Sequence, residues 1–147
     1  MPRRVLARAA SALLAATLVG VPAARAKGPD WNALAHVGTI EIVSTEEDGT
    51  PRGTMVWLVV FDGEGYIRTG NTHWGKNVER RPDVLARIEK VEYPLRAERV
   101  VDPERVQRLE SAFREKYGLS DTVVGVFRRG EPKLFRLVAR SAPSASR

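Results

Sequence analysis

The stretch from Arg52 to Phe61 constrains the fold more than any other part of the chain. Met55, Val56, Trp57, Leu58, Val59, Val60 and Phe61 follow one another without a polar residue. A continuous apolar run of this length, rich in β-branched and aromatic side chains, predicts a strand covered on both faces. Asp62-Gly63-Glu64-Gly65 then supplies a hairpin turn, and Tyr66-Ile67-Arg68-Thr69 the returning strand. The rest of the chain must therefore wrap this hairpin from two sides.

The flanking segments are patterned to do so. Asp30 can cap a short helix through Trp31, Leu34 and Ala35, on which His36 reads as a half-buried core residue, and Gly38 ends it. Thr39 to Thr45 predicts a strand that runs into the acidic turn Glu46-Glu47-Asp48-Gly49. Gly70 to Gly75 reads as a loop whose glycines take special backbone angles, followed by a short helix over Lys76–Arg81 before Pro82. Val84 to Val91 and Tyr93 to Val101 predict a second hairpin. Asp102-Pro103-Glu104 starts a helix with a capping carboxylate and a first-turn proline; Val106, Leu109, Phe113 and Tyr117 continue it at helical spacing, and Gly118 stops it. Asp121–Arg128 and Lys133–Ala139 read as two further strands around the turn Arg129-Gly130-Glu131-Pro132. Six or so short strands with one long helix inserted late imply a mainly β fold, a small antiparallel barrel carrying helices. Such a barrel is expected to leave an edge and an open mouth, covered by pairing into a homodimer.

Residues 1–26 read as a signal peptide. Arg3, Arg4 and Arg8 precede an uncharged run from Ala9 to Val21, and Ala24-Arg25-Ala26 is a small-x-small site with cleavage predicted after Ala26. The run is too short to span a hydrocarbon core, so the mature chain carries no membrane span and is exported, to the periplasm or the medium. The Arg3-Arg4 pair fits either the twin-arginine route or the general secretory one. The organisation is then a signal peptide over 1–26, a linker and short helix over 27–37, one barrel domain over 38–140 and a disordered tail over 141–147. The precursor holds 24 Lys+Arg against 18 Asp+Glu. Without the four signal arginines, 20 basic residues stand against the same 18 acids, a balance that gives no electrostatic footprint for nucleic acid. With no cysteine the chain has neither a disulfide framework nor thiol chemistry.

The catalytic repertoire is narrow. Two histidines, His36 and His73, with no H-E-x-x-H spacing support no metal site. There is no G-x-S-x-G elbow, no G-K-S/T phosphate loop and no recognisable carboxylate pair, which argues against hydrolytic and phosphoryl-transfer enzymes. No residue stands out as catalytic. The informative segment is Thr69-Gly70-Asn71-Thr72-His73-Trp74-Gly75-Lys76-Asn77, which offers hydroxyls, amides and a lysine leading into a helix N-terminus, the groups a phosphate requires. Trp57 and Trp74 add flat surface for an aromatic ring. The same residues also suit an ordinary polar loop with a packed tryptophan.

Arg52-Gly53-Thr54-Met55-Val56-Trp57-Leu58-Val59-Val60, the turn Asp62-Gly63, then Tyr66-Ile67-Arg68-Thr69-Gly70, Trp74-Gly75-Lys76-Asn77-Val78 and Arg81-Pro82-Asp83-Val84 resemble the split-barrel flavin-binding superfamily. That group holds the pyridoxamine phosphate oxidase-like proteins and the deazaflavin-dependent nitroreductases, and the likeness runs from about Gly38 to Val101. It implies a split β-barrel homodimer that binds flavin mononucleotide (FMN), or a deazaflavin coenzyme, at the subunit interface. Under it, Thr69 would bind phosphate through its hydroxyl and Lys76 would neutralise it. Trp74 and Asn77 would position the cofactor, Met55, Val56 and Trp57 would lie along the isoalloxazine ring, and Arg52 would be a further phosphate ligand. Thr54 stands where the oxidases place an arginine, which leaves Arg68 or Arg52 as substitutes and keeps open a cofactor-free barrel. Some relatives bind haem, for which His36 or His73 would be the ligands. The expected function is electron transfer between a flavin and a small molecule; the alternative is a non-catalytic ligand-binding or structural barrel.

Overall fold

A computed structural model of the chain describes residues 28–118 and 131–140. Six strands and two helices follow in the order β1 (Thr39–Thr45), β2 (Pro51–Phe61), β3 (Glu64–Thr69), α1 (His73–Arg80), β4 (Asp83–Ile88), β5 (Val91–Arg99), α2 (Pro103–Tyr117) and β6 (Lys133–Ala139). The strands close into an antiparallel barrel in the spatial order β1-β2-β3-β6-β5-β4. Closure runs through β1 and β4, where Glu41, Val43 and the residue between them pair with Leu85 to Arg87. The expected free edge is therefore absent: Arg87 donates to Glu41 at 3.0 Å across that seam, and the sheet's own hydrogen bonds saturate it. The predicted strand over Asp121–Arg128, the signal peptide and the tail lie outside the described residues.

Alternation along the strands sorts the side chains into two cores. Ile40 and Ile42 of β1, Val56 and Leu58 of β2, Ile67 of β3, Val84, Ala86 and Ile88 of β4, Leu95 and Ala97 of β5, and Phe135 and Leu137 of β6 fill the barrel, plugged at one end by Trp74 and Val78 of α1. On the outer face of β2, β3 and β6, Val59, Tyr66 and Leu134 meet Leu109 and Phe113 of α2, with Trp57, Phe61, Val106 and Tyr117 around them. β2 is thus covered on both faces over Val56–Val60, as its sequence requires. Met55 departs from the expectation: it is 63% exposed, because α2 does not reach that far along the strand.

Local chemistry sets the turns. Asp62 and Gly63 form the two-residue hairpin turn with φ of 49° and 71°, and Phe61 pairs with Glu64. Gly65 is already in β3, and the Trp31 ring lies on it so closely that a Cβ there would fall 2.5 Å from the indole. The second hairpin turns at Glu89-Lys90, both at positive φ, which places Val91 at the start of β5 rather than at the end of β4. Residues 31–36 make consecutive turns instead of the expected helix, with Leu34 N–H bonded to the Trp31 carbonyl at 3.0 Å. His36 accordingly sits outside, its side chain 67% exposed and its Nε2 3.0 Å from Glu89, and not in the core. α2 has the anatomy its sequence predicts: the Asp102 carboxylate accepts from Arg105 N–H at 3.0 Å, and Gly118 ends the helix at φ 55°.

Candidate functional site

The pairing of β2 with β3 stops at Leu58 and Ile67. Beyond that point lies a cavity of about 160 Å³, lined by Met55, Val56 and Trp57 of β2, Arg68 and Thr69 of β3, Thr72 and Trp74 at the start of α1, and Phe113 of α2. Four elements thus meet at the barrel end plugged by α1.

Each wall is held from behind. Trp57 is stacked on Tyr117, with ring centroids 4.4 Å apart and planes at 7°. The Tyr117 hydroxyl stands 2.5 Å from the Gly38 carbonyl and 2.6 Å from that of Leu58, and burial pushes its pKa up to about 12. The adjacent Lys116 ammonium donates to the carbonyls of Val37, Leu58 and Ala35 at 2.5, 2.9 and 3.2 Å, and burial draws its pKa below the usual lysine range. These contacts pin the end of α2 to the Ala35–Gly38 segment and β2, fixing the Trp57 plane.

The polar side of the cavity belongs to β3 and α1. α1 begins at His73, three residues before the expected start, because Thr72 caps it: its Oγ1 accepts from Gly75 N–H at 3.2 Å. Neither Gly70 nor Gly75 has a positive φ, contrary to the sequence expectation. Gly75 is required for closeness instead, since a Cβ there would fall 2.8 Å from Thr69 Cγ2 and 3.0 Å from Thr72 Oγ1. The Thr69 hydroxyl is hydrogen-bonded to that of Thr72 and also donates to the Gly70 carbonyl at 3.3 Å.

Arg68 is the charged member of the described lining. Its side chain is 3% exposed, its guanidinium carbon lies 4.4 Å over the Phe113 ring centroid, and Nη1 donates to Glu110 Oε2 at 2.9 Å. Glu110, 17% exposed, approaches from α2; its other oxygen, Oε1, is buried without a hydrogen-bond partner among the described residues.

Of the site residues expected from sequence, Met55, Val56, Trp57, Thr69 and Trp74 are brought together in this cavity. Arg52, Lys76 and Asn77 do not line it. Arg52 is exposed and pairs with Glu46 at 3.3 Å. Lys76 is exposed on α1. Asn77 is buried, accepting from Arg80 at 2.9 Å and donating to Ser44 at 3.4 Å, so that it ties α1 to β1. Neither histidine reaches the cavity: His73 is exposed beside Glu46 at 2.6 Å, a contact that lowers the Glu46 pKa. Thr72, Phe113 and Glu110 had weaker sequence signals, a hydroxyl ahead of a helix and one face of α2. A second, open groove of about 990 Å³ runs between α2 and the Val59–Phe61 end of β2; among the described residues it is lined by one aromatic ring, Phe61, and no tryptophan. The described residues include no cluster of metal-ligating side chains and no helix long and apolar enough to cross a membrane.

A closed six-stranded antiparallel barrel with this cavity at one end has the split-barrel fold of the solved pyridoxamine 5'-phosphate oxidase-like proteins. Residues 30–132 match the family described as "Uncharacterized protein conserved in bacteria (DUF2255)", and the chain belongs to that family. No curated protein matches the sequence. Among solved structures, the conserved hypothetical protein Rv2991 from Mycobacterium tuberculosis superposes with a TM-score of 0.59 at 22% identity, over 75% of this chain and 78% of its own. HutZ, the heme storage protein from Vibrio cholerae, gives 0.57 at 17% identity, over 71% and 83%. An F420-H2 dependent reductase, FDR-A, gives 0.53 at 17% identity, over 69% and 94%.

Proposed function

We propose that the protein is an exported homodimer that binds a flavin, FMN or a deazaflavin coenzyme, in the cavity between β2, β3 and the two helices, and transfers electrons to or from a small molecule. The observation that carries this reading is the cavity itself: two tryptophans and a phenylalanine beside a guanidinium and two hydroxyls, a lining suited to a planar ring with a polar edge. FDR-A, which shares the fold, depends on a reduced deazaflavin. When bound, the flavin supplies the redox chemistry. The chain's own groups orient it: Trp57, immobilised by Tyr117, and Trp74 provide faces, Thr69 and Thr72 provide hydroxyls, and Phe113 closes the side toward α2. At about 160 Å³ the cavity of one chain falls short of the ~300 Å³ or more usual for a ligand of this size, so a second copy is needed to complete it. A domain-swapped dimer among proteins of the same fold supports the pairing. HutZ makes haem a competing ligand, but His36 and His73 stand outside the cavity, which leaves haem no histidine ligand there.

Titration of the full-length protein with FMN and with the deazaflavin coenzyme is expected to show micromolar binding, about −8 kcal/mol, and light scattering a dimer. No binding of either flavin, or a monomer at tens of micromolar, would sink the reading. Export belongs to the same proposal; N-terminal sequencing of the secreted product should begin at Lys27, and an intact Met1 on cell-associated protein would refute it.

A further inference from the structure

Among the described residues of one chain, the charge at the cavity is already balanced. Arg68 is the cation in the described lining, and Glu110 holds its guanidinium at 2.9 Å from behind. Lys76 and Arg52, the two cations that sequence alone would bring to a phosphate, lie outside the lining, and Arg52 is engaged with Glu46. A dianion entering the cavity would meet the field of Arg68 opposed by that of Glu110 a few ångströms further back, where burial leaves little water to screen either. Glu110 Oε1, buried without a hydrogen-bond partner among the described residues, sharpens this opposition, because one of the two carboxylate oxygens has no donor to offset it. The aromatic faces and the two threonine hydroxyls carry no charge and lose nothing to this arrangement.

Resting on the flavin reading above, we propose that Glu110 tunes the cavity to read an uncharged planar ring with a polar edge, so that a phosphate on the ligand adds little to its affinity. The ligand class extends in consequence to unphosphorylated flavins, and Glu110 acts as a positioning and specificity residue through Arg68.

The test compares riboflavin with FMN on the full-length protein by fluorescence titration at low and high salt. Dissociation constants within about threefold of each other, with a ratio that salt does not change, are expected for a site where the phosphate is not read. Glu110→Gln keeps an acceptor for Arg68 but removes its countercharge, and should shift the ratio about tenfold toward FMN in a salt-sensitive way. FMN binding more than about thirtyfold tighter than riboflavin in the wild type overturns the inference while leaving the flavin reading intact. A ratio that Glu110→Gln leaves unchanged overturns the role of Glu110. If that variant does not fold, the wild-type ratio and its salt dependence still decide whether the phosphate is read. Failure of riboflavin and FMN to bind overturns this inference, and failure of the deazaflavin coenzyme as well removes the flavin reading with it.

Discussion

Two arginines, Arg105 of α2 and Arg68 of β3, link α2 to the β2–β3 hairpin, and their surroundings differ in a way that separates a site from a brace. Arg105, on the first turns of the helix, is shared among Asp62 at 3.0 Å, Glu64 at 3.2 Å and the Tyr66 hydroxyl at 2.5 Å, with its guanidinium over the rings of Phe61 and Tyr66. Tyr66 donates in turn to Glu64 at 2.7 Å, and Arg136 joins Glu64 to Glu98. Every group there has a partner, and the network locks the hairpin turn to the helix start. Arg68 also has a carboxylate partner, Glu110, but it fronts a cavity, and Glu110 keeps one buried oxygen without a donor among the described residues. A saturated network stabilises the fold; one left incomplete beside a cavity is where a ligand can act.

If that distinction holds, the largest effect belongs to Glu110→Ala, which removes a carboxylate paired with an arginine that is 3% exposed and should cost about 3 kcal/mol in urea denaturation. Arg105→Met, made at a guanidinium 27% exposed whose partners retain water or one another, should cost about 1.5 kcal/mol by the same measurement. Equal costs would erase the contrast between the two arginines. The smallest effect is a pH dependence. Tyr117 has a folded pKa of about 12 against 10.0 unperturbed, so its contribution is complete below pH 10 and is lost as pH rises toward 12. Tyr66, raised by burial but opposed by Arg105, acts in the same direction, whereas Lys116, lowered by burial, opposes both just below 10.5. Tyr117→Phe should therefore flatten the alkaline loss more than Tyr66→Phe does, by less than about 1 kcal/mol after allowance for solvent screening. The reverse order in denaturation series across that range would mean that Tyr66, and not Tyr117, carries the larger upward shift.

How much of this was legible in the sequence follows from the range of the interactions. The β2–β3 hairpin, the limits of α2 and the last strand are written in local patterning: an unbroken apolar run, an Asp-Gly turn, an Asp-Pro helix start, a terminating glycine. The strands and the split-barrel fold were accessible for that reason, as were the aromatic members of the cavity. What sequence could not show depends on residues far apart. The β1–β4 seam joins hairpins whose edges look open when read singly. Lys76 and Asn77 sit in the right segment, but helical phase turns Lys76 to solvent and Asn77 toward Ser44. Glu110 is one more polar residue of an amphipathic helix until folding sets it against Arg68, 42 positions earlier.

The strand order has a consequence for synthesis. β6 fills the gap between β3 and β5, with Gly65 opposite Leu137 and Ala97 sharing that same partner. A chain emerging from the ribosome can form both early hairpins and the β1–β4 seam, yet it holds two sticky flanks open until translation has passed Ala139. The nascent protein is therefore an incomplete cylinder for nearly the whole of its synthesis, and its slowest folding step should be the arrival of a seven-residue strand that cannot be hurried by anything upstream.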